Sequence, residues 1–153
     1  MAYKMEISRL LWFRLLTELR HRGQGRRESG AFLLGTAGSP RVTDFVCYDD
    51  LDANCLNHGY IDFDGSGYVP LTEICQTKSL RVMGDVHTHP SVWTRQSQSD
   101  IRHPMMARKG HLALIVPSFA KNRFGGLSGV GMFEYLGDGN WRDNGREIRL
   151  TWL

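Results

Sequence analysis

The hydrophobic positions of the chain switch between a helical and an extended period. Ile7, Leu11, Leu15 and Leu19 recur every four residues, with Leu10 and Leu16 widening the stripe, so the spacing predicts a helix over 7–22. His21-Arg22-Gly23-Gln24-Gly25 supplies its stop, glycine being a favoured helix terminator. Ala31-Phe32-Leu33-Leu34 reads as a short buried strand and Val42 to Tyr48 as a second, while the polar stretch 49–60 reads as a loop. A helix is expected from Pro70 through Glu73 to Ser79, since a proline at the first helical position has no N–H to leave unpaired. Arg81 to His87 reads as a strand, and Ser97 to Ala107 as a helix that Pro104 shortens or kinks. His111 to Val116, Gly129 to Leu136 and Ile148 to Trp152 supply three further strands. Interleaved helices and strands predict an α/β fold with a mixed β-sheet flanked by helices. No repeat or linker divides the chain, so one domain is expected over 1–153.

Composition narrows the class without choosing a function. Of 153 residues, 41% are hydrophobic and 23% charged, as in an ordinary soluble domain. No apolar run is long enough for a bilayer, and Met1-Ala2-Tyr3-Lys4-Met5-Glu6 is unlike a secretory signal. A cytoplasmic protein without a membrane partner is therefore expected. Cys47, Cys55 and Cys75 are odd in number and form no C-x-x-C pair, so they read as reduced thiols rather than disulfides or thiolate ligands. The net charge of +3 hides a local excess: seven Lys/Arg against two acids precede Glu28. That excess reads as a solvated helix face and loop, ahead of a patch that steers an acidic partner.

The chemistry is concentrated in His87-Thr88-His89-Pro90, followed after six residues by Ser97-Gln98-Ser99-Asp100. Histidines at i and i+2 of an extended segment share one side, and here they sit where a strand ends. Pro90 turns the chain, and Asp100, in the first turn of the next helix, can bring a carboxylate back to the same point. Two His and one carboxylate leave a fourth position open on a tetrahedral zinc ion, the pattern of a catalytic site. Zn2+ in such a site acidifies its water from 15.7 toward ~7. A carboxylate must then carry the proton to the leaving amine, and Glu28, heading a buried strand beside Gly30, is the best candidate. Ser97 is placed to donate to the oxyanion.

This order and spacing resembles the JAMM (MPN+/JAB) zinc metalloprotease family, whose pattern is an upstream Glu, His-x-His-Pro, six residues and Ser-x-x-Asp. Every member of that pattern is present, and the likeness runs over residues 7–136. Glu28-Ser29-Gly30-Ala31-Phe32-Leu33-Leu34-Gly35 also resembles the family's Glu strand with its closing glycine. The resemblance implies a JAB/MPN fold, a cytidine-deaminase-like sandwich, with His87, His89 and Asp100 as zinc ligands, Glu28 as general acid/base and Ser97 as oxyanion stabiliser. It implies cleavage after the C-terminal glycine of a ubiquitin-like protein, in a conjugate or a precursor. The compact length looks like the stand-alone prokaryotic branch, some members of which act beside E1-like and E2-like enzymes in antiphage defence operons, while others process sulfur-carrier precursors. The His-x-His-Pro-Ser wording also resembles the RadC group, linked to DNA repair. That group's helix-hairpin-helix segment is missing here, and nucleic acid is not the expected partner. A deaminase is disfavoured by the lack of His-x-Glu and Cys-x-x-Cys elements.

Asp62 to Glu73 fits the calcium-loop template at positions 1, 3, 5, 6, 8 and 12. No helical pattern enters it, Pro70 lies inside it and no second copy exists, so a strand–turn–helix connection is expected instead. Trp93 reads as an anchor for the loop between the ligands, Thr88 as structural, and His103 as a surface or packing residue. His21, His58 and His111 have no partner that sequence identifies.

Overall fold

The computed structural model describes residues 2–152. A short strand, β1 (Met5–Ser8), leads directly into helix α1 (Arg9–Gly23). Ser8 is the N-cap, its hydroxyl accepting from Leu11 N–H at 3.1 Å. The helix therefore starts two residues later than the periodicity suggests, and Ile7 belongs to the strand. That shift turns Leu10 outward, where it is 66% exposed, and presents Trp12, Leu15, Leu16 and Leu19 to the sheet. Burying each such side chain contributes roughly 1.5–3 kcal/mol.

The central sheet joins β2 (Gly30–Gly35), β3 (Val42–Cys47), β4 (Arg81–Thr88), β5 (Leu112–Val116), β6 (Gly131–Gly137) and β7 (Asn140–Asp143) in the order β3-β2-β4-β5-β6-β7. Only the β4–β5 pair is parallel, so the sheet is mixed. β1 pairs in parallel with β8 (Ile148–Thr151) as a separate two-stranded sheet. One face of the central sheet carries Ala31, Leu33, Val86, Leu112 and Leu114 against α1. The opposite face carries Phe32, Leu34 and Val82 against Tyr48, Cys55, Leu56 and Leu71. The latter come from the single helical turn α2 (Tyr48–Leu51), from helix α3 (Tyr68–Lys78) and from the turns between them.

Strand β4 holds both faces because of a bulge. Leu33 pairs with Gly84 and Leu34 with Val82, leaving Met83 unpaired and packed toward α1. Past the bulge, Val86 faces α1 while Asp85 and His87 alternate to the other face.

Several sequence expectations change in detail. The helix expected over 97–107 is only α4 (Gln98–Arg102), since the chain leaves helical geometry at His103, before Pro104. The loop expected over 49–60 opens with α2, which is tied to α1 because Arg22 Nη1 donates to Asp49 at 3.1 Å and to Asp50 at 2.7 Å. The calcium-loop look-alike is a 3-10 turn over Gly65–Gly67 followed by α3, with Asp64 accepting from Ser66 N–H at 3.0 Å. Asp62, Asp64 and Glu73 form no converging ligand group among the described residues. Cys47 and Cys55 are buried free thiols, their pKa values pushed up to about 12 mainly by desolvation. No helix among the described residues is long and apolar enough to cross a membrane.

Glu134 on β6 closes the end of the sheet opposite β3. It is 5% exposed, and its Oε1 accepts from Lys4 Nζ at 2.8 Å, Arg142 Nη2 at 2.7 Å and Asn144 Nδ2 at 2.6 Å. Burial raises its pKa, but the hydrogen bonds and charges of Lys4 and Arg142 outweigh burial and hold it below 4.5. A carboxylate depressed in the folded state stabilises the fold above its unfolded pKa, and this is lost as pH falls through the folded value. Glu134→Gln is therefore expected to cost about 1–2 kcal/mol at pH 7 in urea unfolding. The gap to wild type should narrow as pH falls below 4.5 and vanish below the depressed folded value; a gap that stays constant down to strongly acidic pH would refute the ionic account.

Candidate metal centre

β2 and β4 run antiparallel with Gly30 opposite His87, which brings Glu28, just before β2, alongside the end of β4. Two further ties fix that junction. Ser29 N–H donates to Thr88 Oγ1 at 3.0 Å, and Thr88 N–H donates to the Ser29 carbonyl at 2.9 Å. Ser29 Oγ donates to the Leu19 carbonyl at 2.7 Å, anchoring the same junction to α1. Thr88 is thus structural, on the face opposite the histidines. Gly30 leaves room that a side chain would take from the Tyr48 ring, and a Cβ there would also lie 2.7 Å from the Val86 carbonyl oxygen.

The three side chains expected as ligands meet at one point. His87 and His89 are 8% and 4% exposed. Their Nε2 atoms are 3.2 Å apart, and each lies 3.2–3.3 Å from an oxygen of Asp100. Tetrahedral zinc with bonds near 2.0–2.1 Å has ligand–ligand edges of about 3.3 Å; the two nitrogens stand at that spacing, each beside a different oxygen of the Asp100 carboxylate, so the group could hold such an ion. His89 Nδ1 lies 3.1 Å from the Trp93 carbonyl. A carbonyl can only accept, so the proton sits on Nδ1 and Nε2 is left with a free lone pair, as metal ligation requires. The Trp93 ring also stacks on His89 at 5.7 Å between centroids, which makes it the loop anchor expected.

Asp100 is held by a reciprocal cap on α4. Its Oδ2 accepts from Ser97 N–H at 2.8 Å, and its own N–H donates to Ser97 Oγ at 3.1 Å. Ser97 Oγ therefore acts as an acceptor toward the helix and keeps its hydroxyl proton available. Burial opposes ionisation of Asp100, yet the two neighbouring imidazoles and the Ser97 N–H overcome it and hold the carboxyl far below its usual range. Burial likewise lowers the His87 pKa, and Asp100 reverses this to leave it above 6.5.

Glu28, His87, Ser97 and Asp100 all line one cavity of about 630 Å³. Glu28 has a raised pKa, chiefly from desolvation, with His87 and His89 pulling it down and Asp100 pushing it up. The fold thus brings together every site residue expected from sequence. It adds Asp85 and His111, which sequence reading did not pair: His111 Nε2 donates to Asp85 Oδ2 at 2.8 Å, with both side chains buried. Asp85 stands two positions before His87 and so shares its face, which is the signal that could have found it. His103 also lines the cavity wall.

No known protein-family model matches the chain. Among solved structures it is similar to a protein from Desulfitobacterium hafniense, with TM-score 0.66 and 18% identity over 96% of this chain and 92% of that one. It is similar to a JAB1/MPN domain protein from Archaeoglobus fulgidus, with TM-score 0.52 and 19% identity over 97% and 98% of the two chains. A third similar structure, from Salinibacter ruber, gives TM-score 0.57 and 20% identity over 95% and 91%. At these identities the likeness is one of fold: the chain has the mixed, helix-flanked sheet seen in a JAB1/MPN domain, and its His87–His89–Asp100 group could hold a metal ion.

Proposed function

We propose that the chain is a zinc-dependent peptidase that cleaves after the C-terminal glycine of a ubiquitin-like protein, in a conjugate or in a precursor. The observation that carries the reading is the convergence of His87 Nε2, His89 Nε2 and the Asp100 carboxylate at 3.2–3.3 Å, with Glu28 beside them in the cavity. A zinc ion bound there supplies a Lewis acid and acidifies a water toward neutrality. Glu28 takes up the proton and delivers it to the leaving amine, and partial burial moves its pKa toward the range such transfer needs. Ser97, its oxygen already accepting from Asp100 N–H, donates its hydroxyl proton to the oxyanion. Asp100 orients both histidines, and Trp93 fixes the His89 tautomer.

The substrate class rests on the sequence resemblance and is tested directly. Zinc-loaded protein is incubated with a ubiquitin-like protein extended beyond its terminal glycine, and with an isopeptide-linked conjugate. Mass spectrometry is expected to find release at the glycine in at least one of them, with none after chelation. Stable substrates in the presence of bound zinc would remove ubiquitin-like tails from the reading and leave the metal site standing.

A further inference from the structure

The cavity that holds the candidate metal site, about 630 Å³, has walls of a definite chemical character. The sequence carries 19 Lys and Arg, yet none lines this cavity, whereas Glu28, Asp62, Asp85 and Asp100 do. Aromatic rings form much of the remainder, among them Tyr48, Phe63, Tyr68 and Trp141. These rings are fixed by one another: Phe63 meets Tyr68 edge-on at 5.2 Å and lies tilted against Tyr48 at 5.6 Å, and the Tyr68 hydroxyl donates to the Met105 carbonyl. Trp141 is held on the edge strand β7 by its Nε1–H, which donates to the Ile101 carbonyl at 3.1 Å.

Two buried polar groups in this cavity are left with unused capacity. Asp85 is 2% exposed, and its one hydrogen bond among the described residues is that of Oδ2 to His111. His111 Nδ1 is buried without a partner, so a bare nitrogen there is far less costly than an N–H lacking an acceptor. His111 then donates from Nε2 alone, and the second carboxylate oxygen of Asp85 has no hydrogen bond among the described residues. The Tyr48 hydroxyl is also fully buried without a hydrogen-bond partner. Burial, followed by the field of Asp85, pushes its pKa well above the ordinary value, so it stays a neutral phenol able to donate or accept. A buried carboxylate with an open oxygen, an unpartnered hydroxyl and aromatic walls form a receptor for a positive charge, which aromatic faces attract most strongly when water is excluded.

We infer that this cavity is a recognition pocket for a cationic side chain of the substrate, a lysine or arginine held by Asp85 and flanked by the Tyr68 and Trp141 rings. The inference rests on the peptidase reading for which part of the substrate supplies that residue. A tail ending in glycine has no side chain at the bond, so the cation belongs to the part that leaves.

The test measures binding without turnover, so it stands or falls separately from the peptidase reading. Zinc-loaded protein is titrated by NMR with n-butylguanidinium, which stays charged and does not ligate metal, and with its neutral isostere n-butylurea. The cation is expected to bind at least about tenfold more tightly. In Asp85→Asn the two ligands should come within about twofold of each other. Equal affinities in the wild-type protein overturn the inference, as does a natively folded Asp85→Asn that keeps the full preference. Trp141→Leu, a change at the sheet edge that leaves the buried pair intact, covers the case in which Asp85→Asn does not fold. It should weaken the guanidinium at least about threefold and the urea less; unchanged guanidinium binding there removes the aromatic wall from the pocket.

Discussion

Glu28→Gln is expected to lower the rate of peptide-bond cleavage by about 10²–10⁴-fold while zinc content stays at one ion per chain. The amide keeps the size of the carboxylate but cannot take up and return a proton. The same substitution separates catalysis from folding with unusual clarity. Desolvation raises the Glu28 pKa, with smaller opposing contributions from His87 and His89. An acid whose pKa is raised by folding binds its proton more tightly in the native state, so its ionised form costs stability at neutral pH. Removing the charge should therefore leave the melting temperature unchanged or slightly higher, even as activity disappears. On the peptidase reading the ionised form is the one that takes up the proton, so activity should fall as decreasing pH protonates Glu28. An active Glu28→Gln protein would reassign the base; an inactive one that melts much earlier would point to a structural role instead.

How much of this site can be read without coordinates depends on the distance over which each part is encoded. The ligands are local: alternation at the end of one strand orients His87 and His89, and a reciprocal cap seats Asp100 one turn into α4. Glu28 is not local. Its place depends on the Gly30–His87 register and the Ser29–Thr88 ties, so only likeness to a known pattern could suggest it from sequence. Alternation places Asp85 on the His87 face, but its pairing with His111 spans 26 positions and needs the parallel β4–β5 register. In the fold, the buried strands β2, β4 and β5 announce themselves as apolar runs. β1 is four residues long and merges in pattern with α1, and β7, Asn140-Trp141-Arg142-Asp143, is a polar edge strand without a buried face. The α4 helix is shorter than its pattern because a proline constrains the residue before it, here His103.

Metal removal is expected to produce the largest change in stability. A ligand present at 1,000 times its dissociation constant stabilises the native state by about 4 kcal/mol. For a chain of this size each kcal/mol moves the melting temperature by about 2–4 °C, so chelation should lower it by roughly 8–16 °C. Asp100→Asn should abolish most of that difference. The amide can still accept from Ser97 N–H and preserve the α4 cap, but it loses the charge that binds the cation and draws His87 and His89 together. The effect should depend on pH in a defined direction. Burial disfavours the protonated form of His87, but the Asp100 carboxylate outweighs this and leaves its pKa above 6.5 in the absence of metal. Zinc must displace that proton, so its apparent affinity should weaken as pH falls through the raised value, and protons should be released on binding at neutral pH. Calorimetry in two buffers of different ionisation enthalpy reads the proton count directly. Zinc binding with no proton release near pH 7, together with a full zinc-dependent shift in Asp100→Asn, would place the ion elsewhere in the molecule.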